Sequence, residues 1–107
     1  MSLSTHVLDV AKGAPADGVP VTLERRSAGV WVGVAAGRTD DDGRLRDWVP
    51  EQLWQPGTYR LHFDTAAYLG EGAFYPEVTV VFTVDDAQPM HVPLLLSPFG
   101  YTTYRGS

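Results

Sequence analysis

Three histidines are the side chains of this chain best suited to acid–base chemistry near neutral pH. His6 lies on an otherwise largely apolar face of a predicted strand, so its ring must be hydrogen-bonded or must line a cavity. His91 opens another predicted strand. Taken alone, His6 could be a structural histidine and His91 a solvated strand end. His62 lies on a polar strand face, where a surface position without a catalytic role is expected.

The other familiar reaction motifs are missing. The chain has no cysteine, which excludes a thiolate nucleophile, a disulfide and a cysteine-based metal site. It also has no His-Glu-x-x-His motif, phosphate-binding glycine loop or Gly-x-Ser-x-Gly elbow. The acidic run at residues 40–42 before Gly43 suggests a calcium loop, but counting back from that glycine puts the cation Arg38 at the first ligand position. A hairpin turn is expected instead, with no metal and no cofactor.

Composition limits the partners and the location. The net charge of −5 argues against nucleic-acid binding, which requires a basic surface. No window approaches the ~20 apolar residues of a membrane span, and the first residues lack the pattern of a signal peptide. The final Arg-Gly-Ser differs from a Ser-Lys-Leu peroxisomal address. We therefore expect one cytoplasmic domain over residues 1–107 that binds neither nucleic acid nor membrane.

Alternation of apolar and polar residues predicts an all-β protein. Eight short strands are predicted, at residues 3–10, 19–25, 30–39, 44–48, 58–64, 77–84, 91–96 and 101–106. Turn signals about every ten residues favour a β-sandwich or barrel. One helix is predicted where alternation breaks after the fifth strand, with Asp64 as N-cap and Gly70 as the stop.

The C-terminal stretch predicts two strands joined by a turn at residues 97–100, where proline and glycine favour reversal. In the first strand, Val92, Leu94 and Leu96 share one face, and His91 lies on the other. The second strand is expected to continue through residue 106. The pattern alone is also consistent with a protected edge strand.

Three segments carry a family resemblance. The string His91-Val-Pro-Leu-Leu-Leu-Ser-Pro-Phe-Gly-Tyr-Thr-Thr-Tyr-Arg-Gly-Ser107 closely resembles the C-terminal signature of the 5-hydroxyisourate hydrolases, which are transthyretin-like enzymes of urate breakdown. The segment Leu3-Ser-Thr-His-Val-Leu-Asp-Val10 and the turn Thr39-Asp-Asp-Asp-Gly-Arg44 are similar to further segments of that family. The last four residues separate these enzymes from transthyretin, whose chain continues differently. The terminal motif is highly specific, whereas the middle of the chain matches only in pattern.

The resemblance implies a transthyretin-like eight-stranded β-sandwich with one short helix after the fifth strand. It also implies a homotetramer with active sites where subunits meet across a central channel. The family's catalytic residues correspond to His6, Arg44, His91 and Ser107, and Tyr104 is expected to join Arg44 in binding substrate. Family members often carry a histidine and an aromatic residue just before His91, where this chain has Gln88-Pro-Met90.

The implied activity is cofactor-free hydrolysis of 5-hydroxyisourate to 2-oxo-4-hydroxy-4-carboxy-5-ureidoimidazoline by opening the six-membered ring at a ring amide. One of His6 and His91 would be the general base that activates water, and the other would orient the substrate or donate a proton. Arg44 has a planar, permanently charged guanidinium that suits carbonyl oxygens and a developing oxyanion. Ser107 would supply a hydroxyl and a carboxylate, and Tyr104 would shape the pocket mouth.

Two other functions are compatible with the fold. One is a non-catalytic transthyretin-like protein that binds a small aromatic ligand, although such a carrier needs neither the histidine pair nor the arginine. The other is a structural or adhesion module, which would leave His6 and His91 unexplained.

Overall fold

Two β-sheets packed face to face account for the alternating pattern, in a computed structural model that describes residues 2–106. The strands are β1 (Leu3–Asp9), β2 (Ala14–Pro15), β3 (Pro20–Ser27), β4 (Val30–Arg38), β5 (Arg44–Leu45), β6 (Gly57–Phe63), β7 (Val78–Val84), β8 (Met90–His91), β9 (Leu94–Ser97) and β10 (Gly100–Thr103). The helices are a 3₁₀ helix (Glu51–Leu53) and α1 (Thr65–Leu69). The predicted β-sandwich is confirmed.

The first sheet has β1 at its centre. Its order is β10-β9-β1-β2, and β5 and β8 also pair with β1. The second sheet is antiparallel, in the order β4-β3-β6-β7. The core between the sheets consists of buried residues from both, chiefly Leu3, Val7, Val21, Leu23, Tyr59, Leu61, Phe63, Val78, Leu94 and Leu96. Removing this apolar surface from water is the main stabilising contribution to the sandwich.

The predicted strand at residues 91–96 forms as two short strands, β8 and β9. Both pair with β1 in one parallel register, with Ser4 opposite His91 and Val7 opposite Leu94. Pro93 lies between them and has no N–H to give to the ladder, so the strand is interrupted there. Together with the additional two-residue strand β2, this interruption gives ten strands over residues 2–106 where eight were predicted.

The prediction that the last strand continues through residue 106 needs correction. β10 ends at Thr103, opposite Leu94. The next residue across the ladder is Pro93, and Thr103 Oγ1 donates to its carbonyl at 2.8 Å. Pairing resumes at Gly106, which bridges to His91. The bridge has the same register as the β9–β10 pairing. Pro93 therefore interrupts the hydrogen-bonded pairing of the two segments but does not shift their register.

The predicted helix is confirmed. The Asp64 carboxylate accepts a hydrogen bond from the main-chain N–H of Ala67 at 3.2 Å, and Gly70 ends the helix with φ 96°. Tyr68 Oη donates to Asp9 Oδ2 at 2.8 Å and so ties the helix to β1. Within residues 2–106, neither helix has the length and apolar character needed to cross a membrane.

Candidate active site

Strand β1 separates the core from the candidate site. Alternate residues Leu3, Thr5, Val7 and Asp9 are buried, and the intervening residues, including Ser4 and His6, lie on the opposite face of the sheet. Two short strands flank β1 and bring distant residues to that face. Arg44 of β5 lies opposite His6, and His91 of β8 lies opposite Ser4.

The turn before β5 positions Arg44. Asp40 Oδ1 accepts hydrogen bonds from the main-chain N–H groups of Asp42 and Arg44, both at 2.9 Å. The hydrogen bond from Arg44 is the largest influence on the pKa of Asp40, which is lowered. Gly43 has φ 73°, and a Cβ atom there would lie 2.4 Å from Val7 O, so the turn requires glycine at this point.

The acidic residues of this turn are the one group of three metal-ligand side chains found within residues 2–106. Asp40, Asp41 and Asp42 can bring carboxylate oxygens within 4.8 Å of one another, and all three are exposed. The two main-chain hydrogen bonds to Asp40 already account for its position. The arrangement therefore matches the predicted hairpin turn.

His6 is oriented by the same turn. Its Nε2 atom lies 2.9 Å from the main-chain oxygen of Asp42. A carbonyl oxygen can only accept, so Nε2 must carry the hydrogen of this bond. In the neutral ring, Nδ1 is then the nitrogen with a free lone pair.

His91 is held on the other side of β1. Its Nδ1 atom lies 2.8 Å from Ser4 Oγ. Burial lowers the pKa of His91, and the nearby His6 and Arg44 lower it further, against a smaller opposing effect of the Ser4 main chain. The three predicted residues His6, Arg44 and His91 therefore lie close enough to interact electrostatically, and neutral His91 is favoured.

A cavity of about 180 Å³ lies beside His91. Its other lining residues are Ser2, Leu3, Ser4, Arg46, Asp47, Pro89 and Met90. His6 and Arg44 are not among them, so the cavity and this pair are adjacent parts of one surface joined through Ser4 and His91. The sequence predictions missed Ser4 and Arg46. Strand alternation was the available signal, because each stands two residues from a predicted site residue.

Tyr104 and His62 lie away from this group of residues. Tyr104 is exposed and lines a separate cavity of about 250 Å³ at the edges of β7 and β10, so its role in substrate binding stays a prediction. Ser107 lies outside the described residues, although Gly106 N–H before it donates to His91 O at 2.7 Å. His62 lies on the second sheet, where its Nε2 is 3.1 Å from Glu77 Oε1.

Comparisons with known proteins bear on the family of this chain. The model of the HIUase/Transthyretin family matches residues 3–106. A Mus musculus protein named 5-hydroxyisourate hydrolase is 48% identical over 111 residues, which cover 98% of this chain and 94% of the mouse protein. An Arabidopsis thaliana protein named uric acid degradation bifunctional protein TTL is 48% identical over 122 residues, which cover 98% of this chain but 37% of that longer protein.

Among solved structures, transthyretin from Sparus aurata superposes with a TM-score of 0.91 at 36% identity. The superposition covers 98% of this chain and 96% of the fish protein. The family model and the superposed structure thus each match nearly the full length of this chain. The chain belongs to the HIUase/Transthyretin family.

Proposed function

We propose that this protein hydrolyses 5-hydroxyisourate to 2-oxo-4-hydroxy-4-carboxy-5-ureidoimidazoline in urate catabolism. The observation that carries the proposal is the convergence of His6, Arg44 and His91 on one face of the first sheet. The name of the mouse relative supports the choice of substrate, and the name of the Arabidopsis relative supports a place in uric acid degradation. A carrier of apolar ligands would gain nothing from two imidazoles and a guanidinium placed together.

The chemistry follows from the properties of these groups. Water must lose a proton as its oxygen bonds to the ring carbonyl carbon, and one of His6 and His91 accepts it. The C–N bond of the ring amide then breaks, the ring nitrogen takes up a proton, and the carbonyl carbon becomes a carboxylate. The developing oxyanion is stabilised by Arg44, whose planar guanidinium donates paired hydrogen bonds.

The proposal includes a homotetramer whose channel is lined by the face that carries the histidines. Four aromatic residues form a continuous group through the ring pairs Phe74–Tyr75, Phe74–Phe99 and Tyr75–Tyr101. Phe74 and Phe99 are 64% and 80% exposed. Such a patch is typical of an interface, and β7 and β10 offer sheet edges that pair on one side only within the described chain. Sedimentation equilibrium should give four times the chain mass of 11.7 kDa, and a monomer at micromolar concentration would contradict this part.

A cytoplasmic location is also proposed. Its support is the cysteine-free composition, which suits a reducing compartment. Cell fractionation with an antibody against the native protein would test it.

The activity is tested by following the ultraviolet absorbance of freshly prepared 5-hydroxyisourate. Decay should be much faster with the protein than without it, and the His91→Ala variant should remove most of the acceleration. Decay at the spontaneous rate with well-folded protein would contradict the proposal and would favour a small-ligand carrier.

A further inference from the structure

Ser4 is the one described side chain that contacts the His91 ring through a hydrogen bond. Its Oγ atom lies 2.8 Å from His91 Nδ1, although the two residues are 87 positions apart. The parallel register places their Cα atoms side by side. Two further bonds fix the surrounding main chain, from Val92 N–H to Ser4 O at 3.0 Å and from Thr5 Oγ1 to Val92 O at 2.6 Å.

Ser4 presents two oxygens to the Nδ1 side of the His91 ring, its hydroxyl at 2.8 Å from Nδ1 and its main-chain oxygen. The main chain of Ser4 raises the pKa of His91, as expected of an acceptor near the ring, and Nδ1 is the ring nitrogen on that side. Because a carbonyl oxygen cannot donate, this environment favours a hydrogen on Nδ1. The neutral ring then has a bare Nε2.

The other face of His91 is also occupied. A Cβ atom on Gly106 would lie 2.7 Å from His91 Cδ2, so the terminal segment packs closely against the ring. The charged groups around the ring are Arg44 on β5, and Arg46 and Asp47 in the cavity wall, and His6 on β1 is a further titratable group. None of these has a hydrogen bond to Nδ1 among the described contacts, which leaves Ser4 to set the tautomer.

We propose that Ser4 is a positioning residue for the hydrolase reaction: its hydroxyl accepts a hydrogen bond from His91 Nδ1–H and keeps Nε2 bare, so that Nε2 takes the proton from the attacking water. This assignment rests on the proposed function, because it makes His91 the general base. It follows the general arrangement in which a third group orients the base that activates a nucleophile. His6, whose Nε2 hydrogen is held by Asp42 O, is then available as the second histidine.

The test compares three serine variants. Ser4→Ala removes the hydroxyl acceptor and leaves only the main-chain oxygen of that residue near Nδ1. Ser4→Thr retains a hydroxyl at a strand position that tolerates a β-branched residue. Ser97→Ala is the matched control, because Ser97 Oγ also makes a single hydrogen bond in the first sheet, to Gly100 O at 2.9 Å, away from the histidines. Ser4→Ala should lower kcat by about tenfold or more, because a general base in the wrong orientation or tautomer loses turnover. Its KM should change little. Ser4→Thr should recover much of the loss, and Ser97→Ala should behave as wild type.

A second measurement reports on the ring directly. The ¹⁵N shifts of His91, assigned with the His91→Ala variant, should show the Nδ1–H tautomer in the wild-type protein and a mixture of tautomers in Ser4→Ala. A wild-type Nε2–H tautomer would overturn the assignment even if Ser4→Ala failed to fold. Wild-type kcat and pH profile in a folded Ser4→Ala protein would overturn it as well. If the wild-type protein had no hydrolase activity, the proposed function would fail, and with it the role of Nε2 as base, whereas the tautomer measurement would still decide whether Ser4 orients His91.

Discussion

Gly106 packs against the imidazole of His91 while also pairing with its main chain. Gly106 N–H donates to His91 O at 2.7 Å, and a Cβ atom on Gly106 would lie 2.7 Å from His91 Cδ2. No real Cβ occupies that position without displacing its neighbour. The C-terminal segment is therefore part of the wall around His91.

Gly106→Ala should displace the His91 ring and reduce kcat by about tenfold or more, because misplacement of a catalytic group by a fraction of an ångström is costly. Gly100→Ala is the matched control in the same hairpin, since its Cβ would meet Ser97 Oγ at an ordinary 3.7 Å. Steady-state kinetics and circular dichroism should show an intact fold in both variants and lost turnover in Gly106→Ala alone. Full activity in Gly106→Ala would show that the ring position is not critical.

His6→Ala and His91→Ala should each reduce turnover by about a hundredfold or more, the usual contribution of general acid–base catalysis. His62→Ala is the control, because that histidine contacts Glu77 on the other sheet. All three proteins should remain folded, since none loses apolar core volume. A large loss of turnover in His62→Ala alone would contradict the assignment of the active site to the first sheet.

Arg44→Lys keeps the charge but loses the planar guanidinium, so kcat/KM should fall by about a hundredfold, as when one oxyanion donor is removed. Arg26→Lys is the control on the second sheet, where Arg26 Cζ lies 4.9 Å from the centre of the Trp31 ring. Kinetics on 5-hydroxyisourate would distinguish them. Unchanged kinetics in Arg44→Lys would show that only the positive charge of Arg44 matters and that its planar guanidinium does not.

The lowered pKa of His91 predicts the pH dependence of both activity and stability. Burial keeps the folded ring neutral below its ordinary pKa of 6.5, so the acid limb of kcat/KM, which reports the free enzyme, should lie below that value. As pH falls below 6.5, the unfolded chain takes up the proton first, and the folded state therefore loses stability. An NMR titration of the His91 ring would separate its contribution from that of His6. A midpoint above 6.5 would contradict the prediction.

Tyr68→Phe should destabilise the fold by about 1 to 2 kcal/mol, because it removes a hydrogen bond to the buried carboxylate of Asp9. Burial alone would raise the pKa of Asp9, but hydrogen bonds from Tyr68 and from main-chain N–H groups outweigh it, and the pKa is lowered. The carboxylate's contribution is therefore complete above the ordinary value of 3.8 and is lost as pH falls through the lower folded pKa.

Urea unfolding at one protein concentration should show the difference between Tyr68→Phe and wild type at neutral pH, and a smaller difference as the pH approaches 3. Tyr104→Phe, whose exposed ring lies outside the aromatic group, is the control. Equal stability of Tyr68→Phe and wild type at neutral pH would show that the Asp9 bond contributes nothing.

Strand alternation and helix capping could be predicted from the sequence because both depend on near neighbours. The β-sandwich and the short helix between Asp64 and Gly70 are confirmed. The interruption at Pro93 was open to prediction, since proline lacks the N–H that a ladder requires. It was missed because the apolar run on either side of the proline favours one continuous strand.

The candidate residues were likewise visible as residue types, and the family resemblance selected among them. Their arrangement was not visible, because it depends on which strands pair. Only the tertiary structure places β5 and β8 on either side of β1, which brings Arg44 beside His6 and His91 beside Ser4. Strand pairing joins segments far apart in the chain, and its register is set by the packing of the whole core. The sequence by itself determined the β-sandwich and the histidines and arginine available for chemistry. The fold decided that Ser4 lies beside the His91 ring and that Gly106 packs against that ring, because both contacts depend on strand pairing.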